Sequence, residues 1–257
     1  MRTLKTGLIS AGGVSKSFLA RMPALLNTIG PVKATSFRVA RRITNSLRAG
    51  HAVEPYSALE KCDLVWIAVP ESALDRILAE FSTQAAVHGR MIAICGTARS
   101  SSGTGLLRGA RLATLNVVPG DERTLIAEGH PSILREFRRL IAAEQRKLIE
   151  IEPQGKALYQ AGVHLASDLL LPYFSAGVET LRTAGFSRSE AARIAEGLAA
   201  RALRAYAKAG KKAWRATTAL DLRRSRECDL DGIREVDPRR ASLYERGMEQ
   251  ALEYFKI

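Results

Sequence analysis

The hydrophobic positions of this chain follow two regimes that meet near residue 152. In the first, short apolar runs end at Gly or Pro and alternate with helical periodicity. Thr6 to Ser10, entered from Leu4, predicts a buried strand, and the glycines at 12 and 13 lead into a helix over about Ser15 to Asn27. An extended run from Val32 to Phe37 ends at Arg38. Arg41 to Ala49 is predicted helical with Gly50 as its C-cap, and His51 to Glu54 is a short third strand. Asp63 to Val69 opens on an acid, continues wholly apolar and stops at Pro70, as a strand covered on both faces does. Glu71 to Phe81 places Leu74, Ile77, Leu78 and Phe81 on one helical face. Met91 to Cys95 and Ala110 to Val118 are two further buried strands, stopped at Gly96 and at Pro119-Gly120. Pro131 to Ala143 is helical, and Arg146 to Ile151 is a last strand that Pro153 breaks.

From Gln154 on the strand signal disappears. Gln154 to Ala184 reads as one long helix ended by Gly185. Ser187 and Glu190 form a capping box that opens a helix to about Ala209, closed by Gly210. Residues 211–236 are charged and read as irregular, and Asp237-Pro238 caps a last helix. Strands and helices alternating at this spacing imply parallel βαβ units. The expected fold class is therefore α/β: a Rossmann-type doubly wound parallel sheet over residues 1–152, followed by an all-α domain over 153–257.

Composition narrows the possible roles. No apolar run of the 257 residues reaches the ~20 needed to cross a bilayer. Met1 to Lys5 resembles a signal-peptide start, but Ser10, Gly12, Gly13, Ser15 and Lys16 make the adjoining stretch too polar for an apolar leader core, so a cytoplasmic location is expected. Cys62, Cys95 and Cys228 are scattered and odd in number, which fits neither a disulfide framework nor a metal site. The formal charge is +13, and residues 1–150 hold most of it, 21 basic against 12 acidic side chains. Such an excess attracts anions. Aromatic residues are only 6% and do not interleave with the basic ones, so a base-stacking nucleic-acid platform is poorly supported, which leaves a phosphate-rich cofactor or a plain solvated surface.

The first turn carries the candidate cofactor chemistry. A Rossmann turn is Gly-x-Gly-x-x-Gly between the first strand and first helix. The matching positions are Ser10, Ala11, Gly12, Gly13, Val14 and Ser15, with serines for the outer glycines and Gly13 added. Serine is small and donates a hydrogen bond, so the turn can still cradle phosphate at a helix N-terminus. Where an NAD site usually carries an acid, this chain has Arg38, then Arg41 and Arg42. Guanidinium groups suit a 2′-phosphate, which favours NADP. Val69, Pro70, Cys95 and Gly96, at the carboxyl ends of two strands, are expected to line the cofactor cleft.

A polar seam marks the long helix. Lys156, Gln160, His164 and Asp168 are spaced by four, which on a helix sets them along one face with a drift of about 40° per step. Their neighbours are mostly apolar, so the seam suits a cleft, and Lys, His and Asp can all move protons or orient a substrate. The alternative is a solvated face held by i,i+4 pairs.

The chain resembles the Rossmann-like proteins that carry the C-terminal domain of unknown function 2520, relatives of pyrroline-5-carboxylate reductase and of the 6-phosphogluconate dehydrogenase-like proteins. The resemblance rests on Gly7 to Val14, Ser36-Phe37-Arg38, Cys62 to Glu71 and Lys156-Ala157-Leu158-Tyr159-Gln160-Ala161. It implies an NADP-binding domain, a helical domain like the 6-phosphogluconate dehydrogenase C-terminal one that forms a homodimer, and oxidoreductase activity on an unnamed small substrate. The chain departs from the family's pattern in four places. Leu115 to Pro119 lacks its His-Pro, Gln160 stands for a His and Asp168 for an Asn, and Ala213 to Asp229 lacks its Thr-Gly-Pro and Arg-Gly-Asp segment. The expected function is an NADP-dependent reductase or dehydrogenase of a small carbonyl or imine. Lys156, His164 and Asp168 would contact substrate or deliver a proton, and Asn116 would hydrogen-bond in the cleft. The alternative is a non-catalytic dinucleotide-binding or scaffold dimer that kept the fold and lost the chemistry.

Overall fold

The structure, a computed structural model, describes residues 4–11, 13, 18–103, 105–213 and 216–255. Its strands are β1 (Thr6–Ser10), β2 (Ile29–Lys33), β3 (His51–Val53), β4 (Leu64–Ala68), β5 (Met91–Cys95), β6 (Arg111–Val118), β7 (Asp121–Gly129) and β8 (Lys147–Glu150). They form one sheet in the order β3-β2-β1-β4-β5-β6-β7-β8. Every pair is parallel except β6 with β7. The order reverses between β1 and β4, the switch point at which open α/β sheets bind ligands.

Alternation along each strand divides the core. Leu64 and Trp66 of β4 face the side covered by α1 (Pro23–Leu26), α2 (Phe37–Leu47) and α4 (Pro131–Ala143). Val65 and Ile67 face the side covered by α3 (Glu71–Gln84), which buries Leu74, Ile77, Leu78 and Phe81 as its period predicts. Trp66 stacks on Phe137 with ring centroids 5.3 Å apart. A large apolar side chain buried this way stabilises the fold by ~1.5–3 kcal/mol.

Several expectations are corrected by the structure. First, the strand expected over Val32 to Phe37 is β2, Ile29–Lys33. Ser36 ends the extension by accepting a hydrogen bond from Val39 N as the N-cap of α2, so Phe37 and Arg38 are helical. That helix ends with Arg48 in the left-handed region, and Gly50 serves the following turn instead. Second, the helix expected from Ser15 is, over its described part, a 3-10 turn at Phe18–Arg21 and the short α1. Met22 has φ −120° and ψ 82°, because a residue before proline is pushed out of the helical region.

Third, Pro119-Gly120 is not merely a stop. With Gly120 at φ 82° it has the form of a type II turn, and it reverses the chain into β7. Turns of this type splay hairpin strands, and the register shifts at Val117/Val118. Fourth, the expected helix from Gln154 to Ala184 is broken into α5 (Gly155–Ala166), a 3-10 turn at Asp168–Leu170 and α6 (Leu171–Thr183). In an unbroken helix the Pro172 ring would meet the carbonyl four residues back, so the helix restarts with Pro172 in its first turn.

Contacts divide the chain into Met1–Gly162 and Val163–Ile257, a line later than residue 152. The first turns of α5 belong with the sheet because Lys156 is hydrogen-bonded to β6. The second unit holds α6, α7 (Arg188–Ala209), α8 (Ala216–Arg234) and α9 (Pro238–Phe255). The capping box of Ser187 and Glu190 is present, and Asp237 caps α9. Residues 216–234, expected to be irregular, are helical. Packing against α9 decides this: Leu230 is buried, Tyr244 OH donates to Asp229 at 2.9 Å and Arg226 pairs with Glu249 at 3.1 Å. No helix among the described residues is long and apolar enough to cross a membrane.

Candidate functional site

The carboxyl ends of β1, β4, β5 and β6 lie side by side at the switch point. Ser10 closes β1, pairs in register with Ala68 and is buried, yet its hydroxyl has no partner among the described residues. A buried hydroxyl is nearly always hydrogen-bonded. One left open at the start of a first βα turn is suited to a ligand. Ala11 is half-buried, and Gly13 takes a positive φ with open space where a Cβ would be. Gly12, Val14 and Ser15 lie outside the described residues.

Arg38, Arg41 and Arg42 are exposed in the first turns of α2. With Phe37 and Asn45 they line a groove of about 400 Å³. No acid stands in that first turn to neutralise them. Cations are disfavoured in the first turn of a helix, where Arg38 stands, and Arg41 and Arg42 follow in the second turn. Val69 and Pro70 follow β4, half-buried and exposed respectively. Cys95 is buried in the core, where burial pushes its thiol pKa up. Gly96 comes next at φ 72°, with its N–H donating to Leu115 O at 3.0 Å.

Two of the four proposed catalytic residues are brought together. Lys156 is 1% exposed, and its Nζ donates to Asn116 Oδ1 at 2.6 Å and to Thr114 Oγ1 at 3.0 Å. Asn116 Nδ2 donates to Thr97 O at 2.9 Å, which sets the amide with its oxygen toward the lysine. Burial lowers the Lys156 pKa from the usual lysine value, and the carboxylates of Glu128 and Glu71 oppose that. Glu71 opens α3 and accepts from Thr97 Oγ1 at 2.9 Å, while Arg99 pairs with it at 2.8 Å and also with Asp75.

The remaining two residues pair with each other. His164 Nδ1 and Asp168 Oδ2 are 3.0 Å apart, both exposed. Gln160 is half-buried on α5. Asp168 is beyond the end of that helix, so the four-residue spacing is not one continuous helical face.

Glu128, Thr114, Ser101, Thr97 and Glu71 were not among the residues expected from the sequence. For Glu128 the missed signal was an acid directly after the apolar run Leu125-Ile126-Ala127, on a strand that itself went unrecognised. Among the described residues no group of His, Cys, Asp and Glu is arranged to hold a metal ion.

No family model and no curated protein matches the chain in sequence. Its fold does match solved structures along almost its whole length. A protein of Thermotoga maritima aligns with TM-score 0.71 at 14% identity, covering 98% of each chain. A reductive aminase from Aspergillus terreus, in complex with NADPH and ethyl-5-oxohexanoate, aligns with TM-score 0.66 at 15% identity, covering 98% of this chain and 95% of that one. Plasmodium falciparum pyrroline carboxylate reductase with NADP bound aligns with TM-score 0.57 at 11% identity, covering 100% of this chain and 98% of that one. At these identities the likeness is one of fold: the chain shares with those structures a Rossmann-type fold followed by a helical C-terminal region.

Proposed function

We propose that this chain is an NADP-dependent reductase of a small carbonyl or imine, and a divergent relative of the proteins with the C-terminal domain of unknown function 2520. The groove of Arg38, Arg41 and Arg42 at the start of α2 carries the reading, because it suits the 2′-phosphate of NADP. The open Ser10 hydroxyl at the first turn fits the same cofactor. Structures of like fold hold NADPH or NADP. When bound, the nicotinamide supplies the hydride. Lys156, fixed by Asn116 and Thr114, orients the substrate and donates a proton to its heteroatom. His164, with Asp168, serves as a second substrate contact.

The same reading gives a cytoplasmic homodimer joined through the helical domain. Leu158 (77% exposed) and Leu165 (63%) on α5, Leu169 and Leu170 on the 3-10 turn and Leu171 at the start of α6 are exposed apolar side chains for a second copy to cover. Sedimentation should give twice the 28.0 kDa chain mass, and Leu165→Glu should give the monomer.

Thermal shift with NADPH, NADH and duplex DNA tests the reading. A rise in Tm with NADPH larger than that with NADH is expected. No rise with either nucleotide overturns the reading, and a rise with DNA alone that fades with salt points to nucleic acid instead.

A further inference from the structure

Glu128 is an unexpected charge for its position. It lies on β7, fully buried, one residue before the Gly129 that ends the strand. Its carboxylate takes three hydrogen bonds: Oε1 accepts from Ser101 N at 2.8 Å and Thr114 Oγ1 at 2.6 Å, and Oε2 accepts from Ser101 Oγ at 2.6 Å. A hydroxyl has one proton and two lone pairs. With its proton given to Glu128, the Thr114 oxygen accepts from Lys156 Nζ at 3.0 Å. One hydroxyl therefore separates a buried ammonium from a buried carboxylate. Asn116 takes a second Lys156 proton. An ammonium carries three. The third meets no acceptor among the described residues.

We propose that Glu128 is a positioning residue for Lys156: acting through Thr114, it holds the ammonium charged and fixed in the interior. The inference rests on the reading of Lys156 as a residue that meets the ligand. A buried ammonium without an opposite charge tends to lose its proton. Two carboxylates face this one, Glu128 from β7 and Glu71 from the start of α3. Glu71 is already paired with Arg99, which leaves Glu128 as the main counter-charge.

The test is the titration of Lys156 itself, followed through ¹³C-labelled lysine Cε in the full chain without cofactor and assigned with Lys156→Met. In Glu128→Gln the midpoint should fall by about one pH unit or more. It should fall also in Thr114→Val, while Thr114→Ser should stay within about 0.3 unit of the parent. A Glu128→Gln midpoint equal to the parent's, with unchanged circular dichroism, overturns the proposal. If that variant does not fold, the threonine pair decides, and equal midpoints for Thr114→Val and Thr114→Ser overturn it. The measurement needs no nucleotide. A chain that shows the shift but does not bind NADPH defeats the reductase reading alone, and a chain that binds NADPH without the shift defeats this proposal alone.

Discussion

Glu128→Gln also has a thermodynamic signature. Glutamine keeps the volume of the side chain, and its amide can still engage Ser101 and Thr114, so the change removes mainly charge. Breaking a buried ion pair costs ~3–5 kcal/mol. Here Thr114 stands between the partners and Glu71 remains near the lysine, so a loss at the lower end, about 3 kcal/mol, is expected near neutral pH. The pH dependence separates charge from shape. Lys156 is held below its usual 10.5 in the fold, so between its folded and unfolded values the unfolded chain binds more protons and stability rises with pH. The variant lowers the folded value further. Its penalty is therefore largest on the acid side of that value and shrinks as pH rises toward the unfolded one. Urea unfolding followed by Trp66 fluorescence in a Trp214→Phe background, at about pH 7 and about pH 9.5, measures this. A penalty below ~1 kcal/mol near neutral pH, or the same penalty at both values, would refute the reasoning.

The same geometry sets three further outcomes. Arg38→Ala should weaken NADPH by about tenfold or more and NADH much less, since a charge-assisted hydrogen bond is worth ~1.5–3 kcal/mol; equal losses in a titration of each nucleotide would remove the 2′-phosphate assignment. Gly50→Ala should lower stability by ~2–4 kcal/mol, because Gly50 sits at φ 70° and a Cβ there would press on Gly30 O; denaturation that leaves the midpoint unchanged would contradict it. Ser187→Ala should cost about 1 kcal/mol by opening the capping box of α7. The Glu190 pKa is lowered mainly by its hydrogen bond from Ser187, so that share of stability exists above the usual carboxylate range and disappears as pH falls through the lowered value.

The local pattern of the chain was enough for the elements whose signals are complete within a few residues. β5, α4 and α7 begin and end where their apolar period, prolines and caps place them. β4 is legible because a strand buried on both faces is apolar throughout, and α3 because its four core residues recur at helical spacing. Lys156 was legible in the polar seam of four-residue spacing, and Asn116 in the stretch Leu115 to Pro119. Their 2.6 Å contact was not, since 40 residues separate them.

What local pattern could not supply was partnership. β7 pairs with β6 through a turn that by itself reads only as a stop, so Glu128 had no strand to stand on until the hairpin formed. A buried carboxylate is tolerable only where donors converge on it, and Ser101 and Thr114 reach Glu128 from 27 and 14 residues away. The helix at 216–234 and the break before α6 were likewise settled by packing and by the ring of one proline. Along the chain the charges of Lys156 and Glu128 look like two ordinary surface groups. In the fold both are buried, and Thr114 of β6, which accepts from Lys156 and donates to Glu128, ties one to the other.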